Sequence, residues 1–178
     1  MKRTVLVSLQ AGLVVTLLAG TAAFWPGAAR AHGDAAHAGT KPAVVRKEQK
    51  AWGVAAGAKA ARRTIAIDMS DAMRYSPAAL TVRQGETVRL AITNRGQAMH
   101  ELVLGTRAEL EEHAALMRKF PEMEHDEPWM AHVPPGKTVN IVWTFNRAGS
   151  FHFGCLIPGH FEAGMVGTVE VQPAKRQR

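Results

Sequence analysis

The sequence predicts an all-β fold: a Greek-key β-sandwich of seven or eight short strands with one helical insertion. Three observations predict it. Beyond Arg63, apolar residues alternate with polar ones at period two through most of the chain. Gly-, Pro- and Asn-containing turn signals separate these runs. One segment alone switches to helical spacing.

Taken in order, Ile65, Ile67 and Met69 share one face of a first strand, and Leu80 and Val82 begin another. Val88, Leu90 and Ile92 alternate with Thr87, Arg89 and Ala91. His100, Leu102 and Leu104 share a face, as do Val139, Ile141, Trp143 and Phe145. Phe151, Phe153 and Cys155 form the next set, and Val169 and Val171 point inward from the last strand. The turns fall at Gln84-Gly85, Asn94-Arg95-Gly96, Pro134-Pro135-Gly136 and Ala148-Gly149. Thr106 with Glu109 forms a capping box, after which Leu110, Ala114 and Met117 recur at helical spacing until Phe120-Pro121 stops the helix. Half-buried antiparallel strands of this length pack as a sandwich.

The ends read differently. Met1-Lys2-Arg3 is basic, residues 5–20 are almost wholly apolar, and Ala29-Arg30-Ala31 is a small-x-small cleavage signal. Residues 1–31 are therefore predicted to be a secretory signal peptide, which places the remainder in the periplasm. The apolar run is shorter than the roughly 20 residues of a membrane span, so no membrane attachment is expected after cleavage. Residues 32–62 lack strand periodicity and are predicted to be a flexible arm, 63–172 the folded domain, and 173–178 a basic C-terminal tail. The chain of 178 residues carries 22 Lys and Arg against 15 Asp and Glu, a net charge of +7. Much of that excess sits in the tails, at Arg46-Lys47, Arg62-Arg63 and Lys175-Arg176-Arg178, and no basic stripe interleaves with aromatics, so no nucleic-acid partner is expected.

An exported chain normally pairs its cysteines, but Cys155 has no second cysteine to pair with. Dimerisation, reactivity or a metal could each explain an odd thiol there. Its neighbours decide. Cys155, His160 and Met165 stand in one short loop with Pro158 and Gly159 at its turn. Two histidines and a cysteine in a trigonal set, with a long axial methionine, make the ligand combination of a type 1 copper centre. Thiolate donates strongly, imidazole suits both copper oxidation states, and thioether is a weak donor that leaves the geometry free. Parity selects the second histidine. His100 is core-facing near the start of one strand and Cys155 core-facing at the end of another, so in antiparallel neighbours both reach the same pole of the sandwich. His100, Cys155, His160 and Met165 are the predicted metal ligands. Taken singly, a buried Cys or a Met beside a strand is ordinary packing.

These residues resemble the cupredoxins, the family of plastocyanin, azurin and rusticyanin. The resemblance covers roughly residues 63–172, including Tyr75-Ser76-Pro77-x-x-Leu80-x-Val82 with Gly85-Glu86, the ligand loop, and Val166-Gly167-Thr168-Val169-Glu170-Val171. It implies one type 1 copper bound by the four residues above. The insertion and the Met/His-rich segment after it look most like periplasmic cupredoxins of copper tolerance. Many family members carry Asn after the first His ligand, tying two ligand loops together; this chain carries Glu101. Copper enzymes on this fold wire a second centre through His residues beside the Cys, whereas here the neighbours are Gly154 and Leu156, so no enzyme is expected.

Two further clusters could hold weaker accessory copper. One is His32 with His37; the other spans His113, Met117, Met123, His125, Met130 and His132. Incidental histidines in a solvated arm, and core-facing methionines, explain the same residues without metal. The expected function is single-electron transfer by Cu(II)/Cu(I) cycling, by a monomer whose redox partner docks transiently near His160, with Phe161, Trp129 and Met130 in the patch. The alternative is copper tolerance, in which excess copper is bound, buffered or oxidised.

Overall fold

The computed structural model describes residues 47–123 and 126–175. The predicted signal segment, the predicted arm up to residue 46, residues 124–125 with His125 among them, and residues 176–178 lie outside them.

Among the described residues the order of elements is β1 (Val54–Ala55), a 3-10 turn (Ala58–Ala60), β2 (Arg63–Ser70), β3 (Arg74–Ser76), β4 (Ala79–Arg83), β5 (Glu86–Asn94), β6 (His100–Gly105), α1 (Arg107–Lys119), β7 (Met130–Val133), β8 (Thr138–Phe145), β9 (Gly149–Gly154) and β10 (Val166–Gln172). They form two five-stranded sheets, β1-β8-β5-β2-β3 and β4-β10-β9-β6-β7. The period-two faces meet between them. Ile67, Met69, Leu90, Ile92, Trp143 and Phe145 from the first sheet pack with Leu102, Leu104, Phe153, Val169 and Val171 from the second in one core.

The strands number ten rather than seven or eight. β1, β3 and β7 have two, three and four residues, too few to display an alternating pattern. Two pairings, β2 with β5 and β4 with β10, are parallel. Alternation reports which face a residue takes and is blind to strand direction.

Part of the stretch predicted as an arm is described, residues 47–62. Its last part joins the sandwich: β1 pairs with β8, and Trp52 and Ala55 are buried in the main core. The Trp52 carbonyl accepts the indole N–H of Trp143 at 3.0 Å, and the Trp52 ring meets Trp129 edge-on at 6.3 Å. Alanine and glycine around a single large aromatic give no periodicity, so the anchor is invisible to pattern reading.

The helix forms as the capping box requires. The Thr106 hydroxyl accepts from the Glu109 N–H, and the Glu109 carboxylate accepts from the Thr106 N–H. Leu110, Ala114 and Met117 then bury against Val103, Met130 and Leu156 on the outer face of the second sheet. That face also holds His152, which is half-buried, and burial pushes its imidazole below the ordinary histidine value. No helix among the described residues is long and apolar enough to cross a membrane.

Candidate metal centre

β6 and β9 are antiparallel neighbours, with Val103 opposite Gly154 and Leu104 opposite Phe153. The pairing puts the start of β6 beside the end of β9, so His100 and Cys155 come to one pole as their parity requires. The chain then turns over that pole. The His160 N–H donates to the Ile157 carbonyl at 3.0 Å and the Met165 N–H to the His160 carbonyl at 3.0 Å. The Cys155 N–H donates to the Met165 carbonyl at 3.1 Å, which closes the loop on itself. Gly159 supplies the left-handed turn at φ 89° that returns His160 toward the core. Gly154 leaves room for the Phe161 ring, which a Cβ at that position would approach to 2.9 Å.

One donor atom from each of His100, Cys155 and His160 lies within 4.8 Å of the others. The two Nδ1 atoms are 3.3 Å apart, and His160 Nδ1 is 3.3 Å from Cys155 Sγ. Met165 is fully buried and bonded through its backbone to both Cys155 and His160.

The arrangement fits a soft cation. His100 Nε2 lies 2.9 Å from Asp71 Oδ1, and since the carboxylate can only accept, the proton belongs on Nε2. The His100 Nδ1 lone pair then points at His160 Nδ1 and toward the thiol. That nitrogen, His160 Nδ1 and the Cys155 sulfur face one another, an arrangement compatible with a metal among them. Asp71 itself accepts from the Gln97 N–H at 2.7 Å and the Ala98 N–H at 3.2 Å, so it also shapes the turn leading into His100. These N–H groups, Gln97 first and then the His100 ring, hold the Asp71 carboxyl below its ordinary value.

Burial pushes the Cys155 thiol up to about 12, outweighing the Glu101 N–H that donates to its sulfur at 3.4 Å. Burial, and then the neighbouring His100, push the His160 imidazole below the usual histidine value. At neutral pH the metal-free site therefore holds a protonated thiol beside a neutral His160, and a bound cation displaces the thiol proton. Apparent metal affinity should rise about tenfold per pH unit between about pH 7 and 9, and calorimetry in buffers of different ionisation enthalpy should show one proton released. The metal-free fold should behave in the opposite sense at high pH. Its thiol value is raised above the reference of 9.0, so the stability from keeping the thiol protonated is complete below that pH and lost as pH rises toward 12. Thermal unfolding of the metal-free protein against pH, with Cys155→Ala as control, checks this.

All four predicted ligand residues lie at this pole. Three residues of the predicted accessory cluster have other contacts. Met117 and Met130 are buried between α1 and the second sheet, and His132 turns its Nε2 to the Glu101 carboxylate at 3.3 Å. Core packing claims the two methionines, Met117 on the helix face that meets the sheet and Met130 on the sheet face that α1 covers. His32, His37 and His125 fall outside the described residues. Among the described residues, His100, Cys155 and His160 are the only cluster of His, Cys, Asp and Glu with metal-ligating spacing.

Sequence reading missed three supporting residues. Asp71 lies far from the ligand motif in sequence and carries no pattern of its own. Buried Asn94 donates to the Ala98 and Val133 carbonyls and accepts from the Gly96 N–H, which pins the turn before His100. Its place beside Arg95-Gly96 marks a turn but not the inward direction of its amide. Tyr75, noted only as part of the resembling stretch, donates its hydroxyl to the Glu101 carbonyl at 2.7 Å and meets Phe153 edge-on.

Comparison with known proteins bears on the family and the fold. Residues 61–172 match the family model of copper binding proteins of the plastocyanin/azurin family. A copper-resistant cuproprotein CopI of Rubrivivax gelatinosus is 50% identical over 141 residues, covering 79% of this chain and 83% of that protein. The CopI of Pseudomonas aeruginosa is 35% identical over 153 residues, covering 70% of this chain and 84% of that one. Among solved structures, the reduced auracyanin of Roseiflexus castenholzii superposes with a TM-score of 0.53 at 24% identity, over 64% of this chain and 99% of its own. Auracyanin B gives 0.56 at 19% identity, over 68% of this chain and 96% of its own. At those identities the structural likeness speaks for the fold alone. With a family model spanning residues 61–172 and relatives matched over most of their length, this chain belongs to the plastocyanin/azurin family of copper-binding proteins.

Proposed function

We propose that the protein binds one copper ion through His100, Cys155, His160 and Met165 and serves in copper tolerance in the periplasm. The observation that carries the metal assignment is the convergence of two imidazole nitrogens and a thiol within 4.8 Å at a buried pole. The tolerance role draws on the relatives named copper-resistant cuproproteins, one of them half identical over most of this chain. When bound, copper supplies one-electron exchange between Cu(II) and Cu(I). The chain contributes a stiff cradle. Asp71 fixes the His100 tautomer, the loop bonds hold Cys155 against His160 and Met165, and full burial of His100, Cys155 and Met165 keeps water from them. The basic, apolar start of the sequence and its small-x-small signal support export.

A strain lacking this protein should become sensitive to copper, and wild-type protein but not Cys155→Ser should restore growth. Normal growth in copper with impaired respiration would instead favour the second reading, a dedicated electron carrier. One observation supports that reading. His160 is partly exposed, with Phe161 and Ile157 beside it and Met99 46% exposed before His100, which gives a redox partner an apolar place to dock transiently. Met130, expected in that patch, is buried under α1 and is unsuited to docking. A binding or electron-exchange role for a monomer, rather than catalysis, fits the absence of histidine on either side of Cys155.

A further inference from the structure

Glu101 is almost fully buried, an expensive position for a carboxylate unless its oxygens find donors. Both do. Oε1 accepts the Leu156 N–H at 2.7 Å, and Oε2 lies 3.3 Å from His132 Nε2. The main chain of the same residue is engaged as well, its N–H by Cys155 Sγ at 3.4 Å and its carbonyl by the Tyr75 hydroxyl at 2.7 Å. Register explains the position. The β6–β9 ladder ends at Val103 opposite Gly154, and two residues further along the same register Glu101 would stand opposite Leu156. There the ligand loop has left the sheet, and the Glu101 side chain makes the bond that the ladder no longer makes. On its other side β6 pairs with β7, where Glu101 stands opposite His132.

We infer that Glu101 and His132 form a brace that locks the Cys155 ligand loop between β6 and β7, with Glu101 as a positioning residue and His132 as its solvent-side anchor. His132, 44% exposed, holds the carboxylate from the outside, while Glu101 holds the residue that follows Cys155 from the inside. The brace connects three stretches of chain through one carboxylate. It also sets an acidic side chain beside the thiol, which favours the more positive oxidation state of whatever cation the site holds. Its consequence for copper rests on the ligand assignment above; the brace itself does not.

The test separates the two. In metal-free protein, Glu101→Ala should speed hydrogen exchange of the Leu156 amide by roughly 10- to 100-fold, because a bond to a charged acceptor is lost. Glu101→Gln, which keeps an acceptor oxygen for Leu156, should leave that exchange close to wild type. His132→Ala should raise it several-fold, and His132→Gln, which restores a donor, should bring it back. In copper-loaded protein, Glu101→Gln should shift the balance toward the reduced form by on the order of tenfold, about 59 mV for a one-electron couple. Unchanged Leu156 exchange in both Glu101→Ala and His132→Ala overturns the brace, whatever the metal. If Glu101→Ala does not fold, unchanged exchange in His132→Ala suffices to overturn it. Changed exchange with an unchanged potential in Glu101→Gln upholds the brace and removes its charge effect on copper.

Discussion

Cys155→Ser should abolish the intense visible absorption of the Cu(II)-loaded protein and lower copper affinity by at least about 100-fold. The absorption arises from charge transfer between thiolate sulfur and Cu(II), and a hydroxyl oxygen is too hard and too weak a donor to replace it. The substitution is nearly isosteric at a fully buried position, and the loop around it is held by backbone bonds from Cys155, His160 and Met165. The fold should therefore survive, so loss of colour would report on coordination rather than on unfolding. Absorption and electron paramagnetic resonance spectra of both proteins, with far-ultraviolet circular dichroism as control, check this. A serine variant that kept the colour would remove Cys155 from the ligand set.

Trp52→Ala should destabilise the fold by about 3–5 kcal/mol, as expected for a large buried aromatic cut back to a methyl group. Trp52 is 3% exposed, packs edge-on against Trp129, and offers its carbonyl to the Trp143 indole. Lys50 adds a cation above the Trp129 ring at 4.1 Å. Natural domains are stable by only about 5–15 kcal/mol, so the loss would take a large share of the total. Chemical denaturation should show the midpoint falling with little change in slope. A chain beginning at Arg63 should suffer at least as much, because it loses β1 as well. A Trp52→Ala protein as stable as wild type would return this segment to the arm.

These two outcomes also mark what could be read from the sequence. Cys155, His160 and Met165 were legible because chemistry and spacing coincide in one loop. His100 was legible because period two fixes the face of a residue and antiparallel pairing fixes the end of the sheet. The helix was legible from Thr106, Glu109 and the spacing of Leu110, Ala114 and Met117. Trp52 was not, since a lone aromatic among alanines and glycines has no period. Asp71 and Asn94 were not, because each acts through a turn whose direction emerges only when the sheets are stacked. Glu101 stood out as a departure from the usual Asn, but its partners Leu156 and His132 come from the loop beyond β9 and from β7. Met117 and Met130 follow the packing reading that the sequence already offered, both buried between α1 and the second sheet.

The most direct measurement is X-ray absorption at the copper edge of protein loaded with one equivalent of Cu(II). The expected result is one sulfur at thiolate distance together with two imidazole nitrogens, the signature of Cys155 with His100 and His160. A shell of nitrogen and oxygen alone, with no sulfur, would contradict it.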